Sequence, residues 1–535
     1  MVVAAILHRA TRLGSEVPEA DRRALSEFRR MDPSNVPPRF KSYSGAAEFQ
    51  LPKYQPAVKG GRAEMAIELV AEQWSLSRLA RLLFLANGVT RRYHTSSGDV
   101  VHFQTSMSAG NLHPIEMYLV CARITELEAG VYHVGPLTNT LTALRAGDHR
   151  YLLGEASGTP DIQRSPVSLV LTGLPWRTAW KYGERGFRHL YWDAGSVVAN
   201  ITACEPNSRL RMAFVDALVA DLIGVDGVSE FPLAIVTPPG EDGGGPMRHR
   251  YGPANRVEAV ASLADGPGPV LSLLSAAQTD GALSSGAEVT GWRKDAGYDD
   301  RPTLTWTEPF RSTGAGTEPI DSIILRRGST RLMTRRALPS ATVERALRAA
   351  MAPVLGDTET RGSGALVPRV AVQSVEGVVG GSYIWQDELV AGRLVSHARD
   401  DVAWLCYGQP VGGDAAFTVF WMTDLDQVLQ KTGSRGYRVV HLRAGLAAGR
   451  MVLAAFGNGA GATNLTFADD PVAEFFETTD SCLLVTAVGI PAYRNVAGGA
   501  PGEPTELAHL EALGRRSAEG RARLHASSSS TAASR

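Results

Sequence analysis

The 535-residue chain sets 54 Lys and Arg against 55 Asp and Glu, a formal charge of −1, with 44% hydrophobic and 20% charged residues. At roughly 100–200 residues per domain, this length allows about three or four domains and excludes a small stapled scaffold. The near-zero balance lacks the basic excess or basic run that neutralising nucleic-acid phosphates requires.

At the N-terminus, Val2–Leu7 is apolar but too short for a secretory core segment, so the expected location is cytoplasmic. No uninterrupted apolar run approaches the 18 or more residues of a membrane span. Residues 1–40 read as an extension. Ser75–Ala86 places Leu76, Leu79, Leu82, Leu83 and Leu85 at helical spacing, Ile115–Ala122 and Val167–Leu171 read as buried strands, and Ala194–Ala203 as a helix. Residues 241–318 are rich in Gly, Pro and Ser and lack periodicity, which predicts a linker or an arm packed over one domain. Beyond it, Thr342–Val354 reads as a helix, and Val370–Val375 and Ala416–Trp421 as strands. Ala444–Phe456 reads as a helix whose small residues permit close helix contact. Residues 501–535 form a tail, with Arg521–Arg535 expected to be disordered. Cys121, Cys204, Cys406 and Cys482 are far apart and read as reduced, mostly buried thiols. With no His or Cys ligand spacing, no metal is assigned.

The elements repeat. Lys181-Tyr-Gly-Glu-Arg-Gly-Phe-Arg188 with Ala194-Gly195 matches Lys431-Thr-Gly-Ser-Arg-Gly-Tyr-Arg438 with Ala444-Gly445 at an offset of 250. Gly110-Asn-Leu-His-Pro114 corresponds to Gly364-Ala-Leu-Val-Pro368 at 254, and Gly130-Val-Tyr132 to Gly381-Ser-Tyr383 at 251. This predicts an α+β chain with two copies, 41–240 and 319–500, pairing face to face as a pseudo-dimer.

Three segments carry candidate chemistry. Arg326-Arg-Gly-Ser-Thr-Arg331 offers three guanidinium groups and two hydroxyls, which suits a phosphate clamp or, alternatively, a solvated basic turn. Thr105-Ser-Met-Ser-Ala-Gly-Asn111 is a run of small and hydroxyl residues that could let a flat ring approach backbone amides, or could be a plain turn. Lys181-Tyr182 lies among Arg177, Arg185 and Arg188, cations that would favour a phenolate for proton transfer; the alternative is a structural tyrosine and a surface lysine. Serine-hydrolase, P-loop and dinucleotide-binding fingerprints are absent.

Taken together, these motifs, with Glu116, Tyr118 and Gly130-Val-Tyr-His133, resemble the SagB-type dehydrogenases, nitroreductase-like FMN proteins that oxidise thiazolines and oxazolines to azoles. The likeness covers most of 40–240 and, more faintly, 320–495. It implies two tandem nitroreductase-like domains and an FMN lying between them. Cofactor contacts would come from Arg326, Arg327, Ser329 and Arg331 in copy two and from Ser106, Ser108, Ala109, Gly110 and Asn111 in copy one. Lys181 and Tyr182 would be the catalytic pair. Copy one has lost the Arg-rich motif near Gly60–Met65, and copy two has Gly362-Ser-Gly-Ala365 and Lys431-Thr432, so one productive site per chain is expected. The implied partners are an azoline-containing peptide and a cyclodehydratase complex in ribosomal-peptide, antibiotic-type biosynthesis, with the chain a monomer or homodimer. An NAD(P)H-dependent reductase of nitro or dehydroamino-acid substrates and a non-catalytic scaffold subunit remain as alternatives.

Overall fold

The computed structural model describes residues 2–25, 30–54, 73–240, 260–261, 271–297, 318–358, 365–392 and 399–508. In the first half, α1 (Val3–Ala10) and β1 (Glu48–Gln50) precede α2 (Leu76–Asn87). Ser75 caps α2, its hydroxyl accepting from Arg78 N, and Leu79, Leu82, Leu83 and Leu85 of the leucine face predicted from spacing are buried while Leu76 is partly so. Next come β2 (Val89–His94), β3 (Val100–Gln104), β4 (Ile115–Cys121), β5 (Gly130–Gly135), β6 (Thr140–Ala146) and β7 (Val167–Gly173). Two helices, α3 (Pro175–Tyr182) and α4 (Gly186–Cys204), lead to β8 (Arg209–Arg211), α5 (Asp216–Ile223) and β9 (Phe231–Thr237).

The stretch read as a linker or packed arm contains two helices, α6 (Ser272–Asp280) and α7 (Gly286–Ala296), which its lack of periodicity did not predict. The remaining elements are α8 (Ile320–Arg326), α9 (Ser340–Met351), β10 (Leu355–Gly356), β11 (Val367–Val372), β12 (Gly381–Trp385), β13 (Leu389–Ala391) and β14 (Phe417–Thr423). They continue as α10 (Leu425–Gly457), β15 (Gly461–Leu465), α11 (Asp469–Phe475), β16 (Ser481–Gly489) and β17 (Thr505–Glu506).

The first sheet runs β10-β8-β9-β7-β4-β5-β6-β1 and the second β13-β12-β11-β14-β16-β15. Setting aside the edge strands β1 and β10, both sheets have one strand order and antiparallel neighbours throughout. Registers agree as well, Cys121 opposite Val167 in one sheet and Val372 opposite Phe417 in the other. The central strands β7 and β14 are buried at every residue, as expected for strands covered on both faces.

Between the sheets α4 lies against α10. The predicted close approach occurs at two glycines: a Cβ on Gly195 would come within 2.3 Å of the Leu442 carbonyl, and one on Gly445 within 2.3 Å of the Trp192 carbonyl. α10 is long and apolar enough to satisfy a membrane-span test, with a mean hydropathy of 1.4 in its best window. Because 94% of that window is buried inside the protein, it serves as a core helix. Both predicted helices begin earlier than expected, since a single glycine kink, Gly183 (φ +57°) or Gly433 (φ +60°), joins each to the preceding turn.

The repeated Arg-Gly-aromatic-Arg motif crosses between the halves. Arg185 and Arg188 bind Asp469 at the start of α11, while Arg435 and Arg438 bind Asp216 at the start of α5. Arg188 also donates to the His8 carbonyl and Arg185 to that of Thr11; Arg438 donates to Gln278 O and Arg435 to Gly281 O. Asp469 accepts from Leu13 N and Asp216 from Leu283 N. His8, Thr11 and Leu13 therefore match Gln278, Gly281 and Leu283 at a constant offset of 270. Helix α6 stands to the second half as α1 stands to the first, which periodicity could not show because the paired contacts are to backbone carbonyls. The Gly60–Met65 segment, Gly362–Gly364 and the Arg521–Arg535 tail lie outside the described residues. All four cysteines are free, three of them buried and Cys204 partly so.

Candidate functional site

The Lys181-Tyr182 pair ends α3, and the kink at Gly183 turns the chain directly into α4. Along α4, His189, Trp192, Asp193 and Ser196 share one face, at the i, i+3, i+4, i+7 spacing of a helix. His189 stacks under Tyr182, with ring centroids 4.0 Å apart. Asp193 accepts the Ser108 hydroxyl at 2.5 Å and the Ala109 amide at 3.2 Å, while Ser196 donates to the Met107 carbonyl. The helix thus holds both Tyr182 and the 105–111 turn.

That turn is tightly pinned. Gly110, Asn111 and His113 all have positive φ, a sequence of left-handed residues that needs side-chain support. Ser106 donates to Asn87, and the Ser108 hydroxyl oxygen accepts His113 N at 2.7 Å. Asn111 donates to the His102 carbonyl and pairs with the His113 ring. The polar atoms of Ser106, Ser108 and Asn111 thus shape the turn itself. What the turn presents is Gly110, where an added Cβ would lie 2.8 Å from the Tyr182 hydroxyl and 3.2–3.3 Å from the Lys181 chain.

The Arg-rich motif of the second half arrives at the same place. Arg327 donates to the Thr105 and Gln104 carbonyls, the Nε contact being 2.8 Å, and Arg91 of the first half donates back to the carbonyls of Leu325 and Arg327. Burial, then the neighbouring Arg91, pulls the Arg327 guanidinium down to about 9. Arg326 turns away, paired with Glu318 and with the Phe456 carbonyl. Arg327 thus ties the halves together, whereas Arg326 is held within the second half. Ser329 and Arg331 are the exposed members of the motif. Ser329 shares a hydrogen bond with Thr463, and the Tyr493 hydroxyl bridges the Ser329 carbonyl and the Arg331 amide.

Tyr182 feels both halves at once. Burial first, then Asp193, raises its phenol to about 12, and Arg331 of the second half acts in the opposite sense. The predicted cationic neighbours are engaged elsewhere: Arg177 pairs with Glu116, and Arg185 and Arg188 with Asp469. Tyr182 is consequently a neutral phenol at rest, not the phenolate inferred from sequence. Burial likewise drives Asp193 up to about 7, against its hydrogen bonds from Ser108 and Ala109. His113 and His189 are held far below the usual imidazole range, by burial first and by surrounding cations second.

At the corresponding position of the second half, the Thr432 hydroxyl folds back onto the Val428 carbonyl and the Thr432 carbonyl accepts Trp292. The two positions are thus chemically unequal. Sequence reasoning missed Asp193, His189, Arg91 and Tyr493. The α4 spacing could have signalled the first two, whereas the others are joined to the site only by the fold. Among the described residues no His, Cys, Asp and Glu cluster could hold a metal.

Residues 324–490 match the nitroreductase family profile. A Methanocaldococcus jannaschii protein bearing a nitroreductase name is 26% identical over 174 residues, 32% of this chain and 82% of its own length. A crystal structure from Anabaena variabilis, similarly named, superposes with a TM-score of 0.71 at 23% identity, covering 92% of this chain and all of its own. That likeness shows a mixed α+β, nitroreductase-like fold extending through both halves. Structures matched over smaller shares include one described as an FMN-dependent nitroreductase from Clostridium difficile, at 14% identity, TM-score 0.23, 33% of this chain and 90% of its own.

Proposed function

We propose that the chain is an FMN-dependent oxidoreductase whose two nitroreductase-like halves, 2–240 and 271–508, form an intramolecular pseudo-dimer with one productive flavin site. The single observation carrying this reading is the hydrogen bonding of Arg327, from the arginine motif of the second half, to the Thr105 carbonyl at the head of the Ser-Ala-Gly-Asn turn of the first. The residues fit FMN in part. Ser329 and Arg331 would hold its phosphate, as exposed hydroxyl and guanidinium groups can. Gly110, lacking a side chain, lets the turn lie against Lys181 and Tyr182, with Ser106, Ser108, Ala109 and Asn111 fixing the backbone that would border the ring. Arg326 and Arg327 support the loop from behind. FMN, when bound, supplies a hydride acceptor at N5.

The substrate class follows from the SagB-type resemblance: a peptide azoline, thiazoline or oxazoline, oxidised to the azole by loss of a hydride and a proton. Lys181 and Tyr182 handle the proton. Because Tyr182 rests as a phenol, accepting a proton requires its prior ionisation, and Lys181, whose ammonium lies 5.5 Å from the ring centroid, and Arg331 are the cations placed to favour it. The expected partner is a cyclodehydratase complex in the cytoplasm.

The decisive experiment incubates FMN-reconstituted protein with an azoline-containing peptide under air and follows a 2 Da mass loss. One flavin per chain and azole formation are expected. Rapid anaerobic bleaching by NADPH without azole formation would make the protein a reductase. Failure to take up FMN would leave a scaffold.

A further inference from the structure

Building on the proposed flavin site, we infer that Asp193 is its positioning residue, a buried carboxylate that sets the direction of the hydrogen bonds holding the Gly110 turn against Lys181 and Tyr182. Asp193 is 5% exposed and sits at the centre of the α4 face that carries His189 and Ser196. Its two oxygens take the Ser108 hydroxyl and the Ala109 amide, and the Ser108 oxygen in turn accepts His113 N. The chain of bonds therefore runs one way, from the His113 amide through the Ser108 hydroxyl to the carboxylate.

Burial holds this carboxyl at about 7 in the closed turn, above its value in water, so the closed turn favours the protonated form and ionisation as pH rises loosens it where it touches Tyr182. The ionisable groups facing this cluster are Lys181 and Tyr182 from α3, His189 on α4 itself, His113 from the turn, Arg331 from the second half and His441 from α10, the last bonded to Trp192. His113, His189 and His441 are all kept neutral by burial, and Tyr182 ionises only near 12, which leaves Asp193 as the group whose shifted value, about 7, lies between pH 6 and 8.

The test compares wild type, Asp193→Asn and Ser196→Ala at pH 6 and pH 8 by two readouts. Hydrogen exchange of the apoprotein peptide covering 105–114 reports on the turn without flavin. In wild type its protection should fall about fivefold to tenfold from pH 6 to 8 after correction for intrinsic rates, because the carboxyl ionises through about 7 in the closed turn but is already ionised in the opened one. Asp193→Asn, which cannot ionise, should show equal protection at both pH values, and Ser196→Ala a uniform loss with the pH step retained. FMN binding, followed by flavin fluorescence quenching, should show the same step in wild type and none in Asp193→Asn. A pH step that survives in Asp193→Asn, or its absence in wild type, overturns the inference. If wild type binds no FMN while the exchange step follows Asp193, the flavin reading fails and the positioning role stands.

Discussion

Replacing Asp469 with alanine tests whether the two halves are held together by the buried arginine clasps. Its carboxylate accepts Arg188 at 3.0 Å and Arg185 at 3.2 Å, and a third bond from Leu13 N at 2.9 Å. Side-chain exposure across this triad is 0–7%, so neither guanidinium can be rehydrated without opening the interface. Removing one member of a buried pair strands the other charge and costs about 3–5 kcal/mol. Set against a typical total of about 5–15 kcal/mol, that is a large fraction of the stability. Urea unfolding followed by tryptophan fluorescence would measure it, with Asp216→Ala, which breaks the equivalent clasp, expected to lose a similar amount. Burial alone would raise the Asp469 carboxyl, but Arg185 and Arg188 more than offset that, so it titrates below the usual range. A depressed carboxyl contributes stability that is complete above its unfolded value near 4 and lost as pH falls through the lower folded value. The variant should therefore lose this part of the wild-type acid sensitivity. A loss below about 1 kcal/mol at neutral pH, the range of exposed pairs, would refute the clasp.

Tyr182→Phe should bind FMN with unchanged stoichiometry and lose azole formation by about 10²–10⁴-fold, the usual worth of a general acid or base; protein that no longer takes up flavin would show the residue to be structural. Gly110→Ala adds a Cβ 2.8 Å from the Tyr182 hydroxyl at φ +62°, so turnover should collapse while left-handed strain costs about 1–2 kcal/mol in urea unfolding. Arg331→Ala should weaken FMN binding by about 10–100-fold, as loss of a charge-assisted contact does, whereas Arg326→Ala should leave it within about threefold; equal effects would contradict the division of roles within the motif. Gly445→Ala would force its methyl to 2.3 Å from the Trp192 carbonyl and should separate α4 from α10, seen as a lower thermal midpoint with the FMN site lost in parallel.

The repeat was legible because it is written in residue types that have no substitute. Gly183 and Gly433 recur where φ is positive, Gly195 and Gly445 where two helices touch, and Arg185, Arg188, Arg435 and Arg438 where a buried carboxylate must be met. The strands were legible because β7 and β14 are buried on both faces and so are almost continuously apolar. Helix α6 was not, since its role rests on backbone carbonyls at Gln278 and Gly281, which any side chain can provide.

At the candidate site, local sequence singled out the Ser-Ala-Gly-Asn turn, the Lys-Tyr pair and the arginine loop. It could not assign their contacts. A guanidinium is drawn as readily to a carbonyl as to a phosphate, and only the tertiary fold sent Arg327 to Thr105 and Arg326 to Glu318 and left Arg331 within electrostatic reach of Tyr182. The protonation states were decided there too. Charge counted along the chain placed three arginines near Tyr182, but electrostatics acts through space, and burial together with Asp193 settled the phenol in the opposite direction.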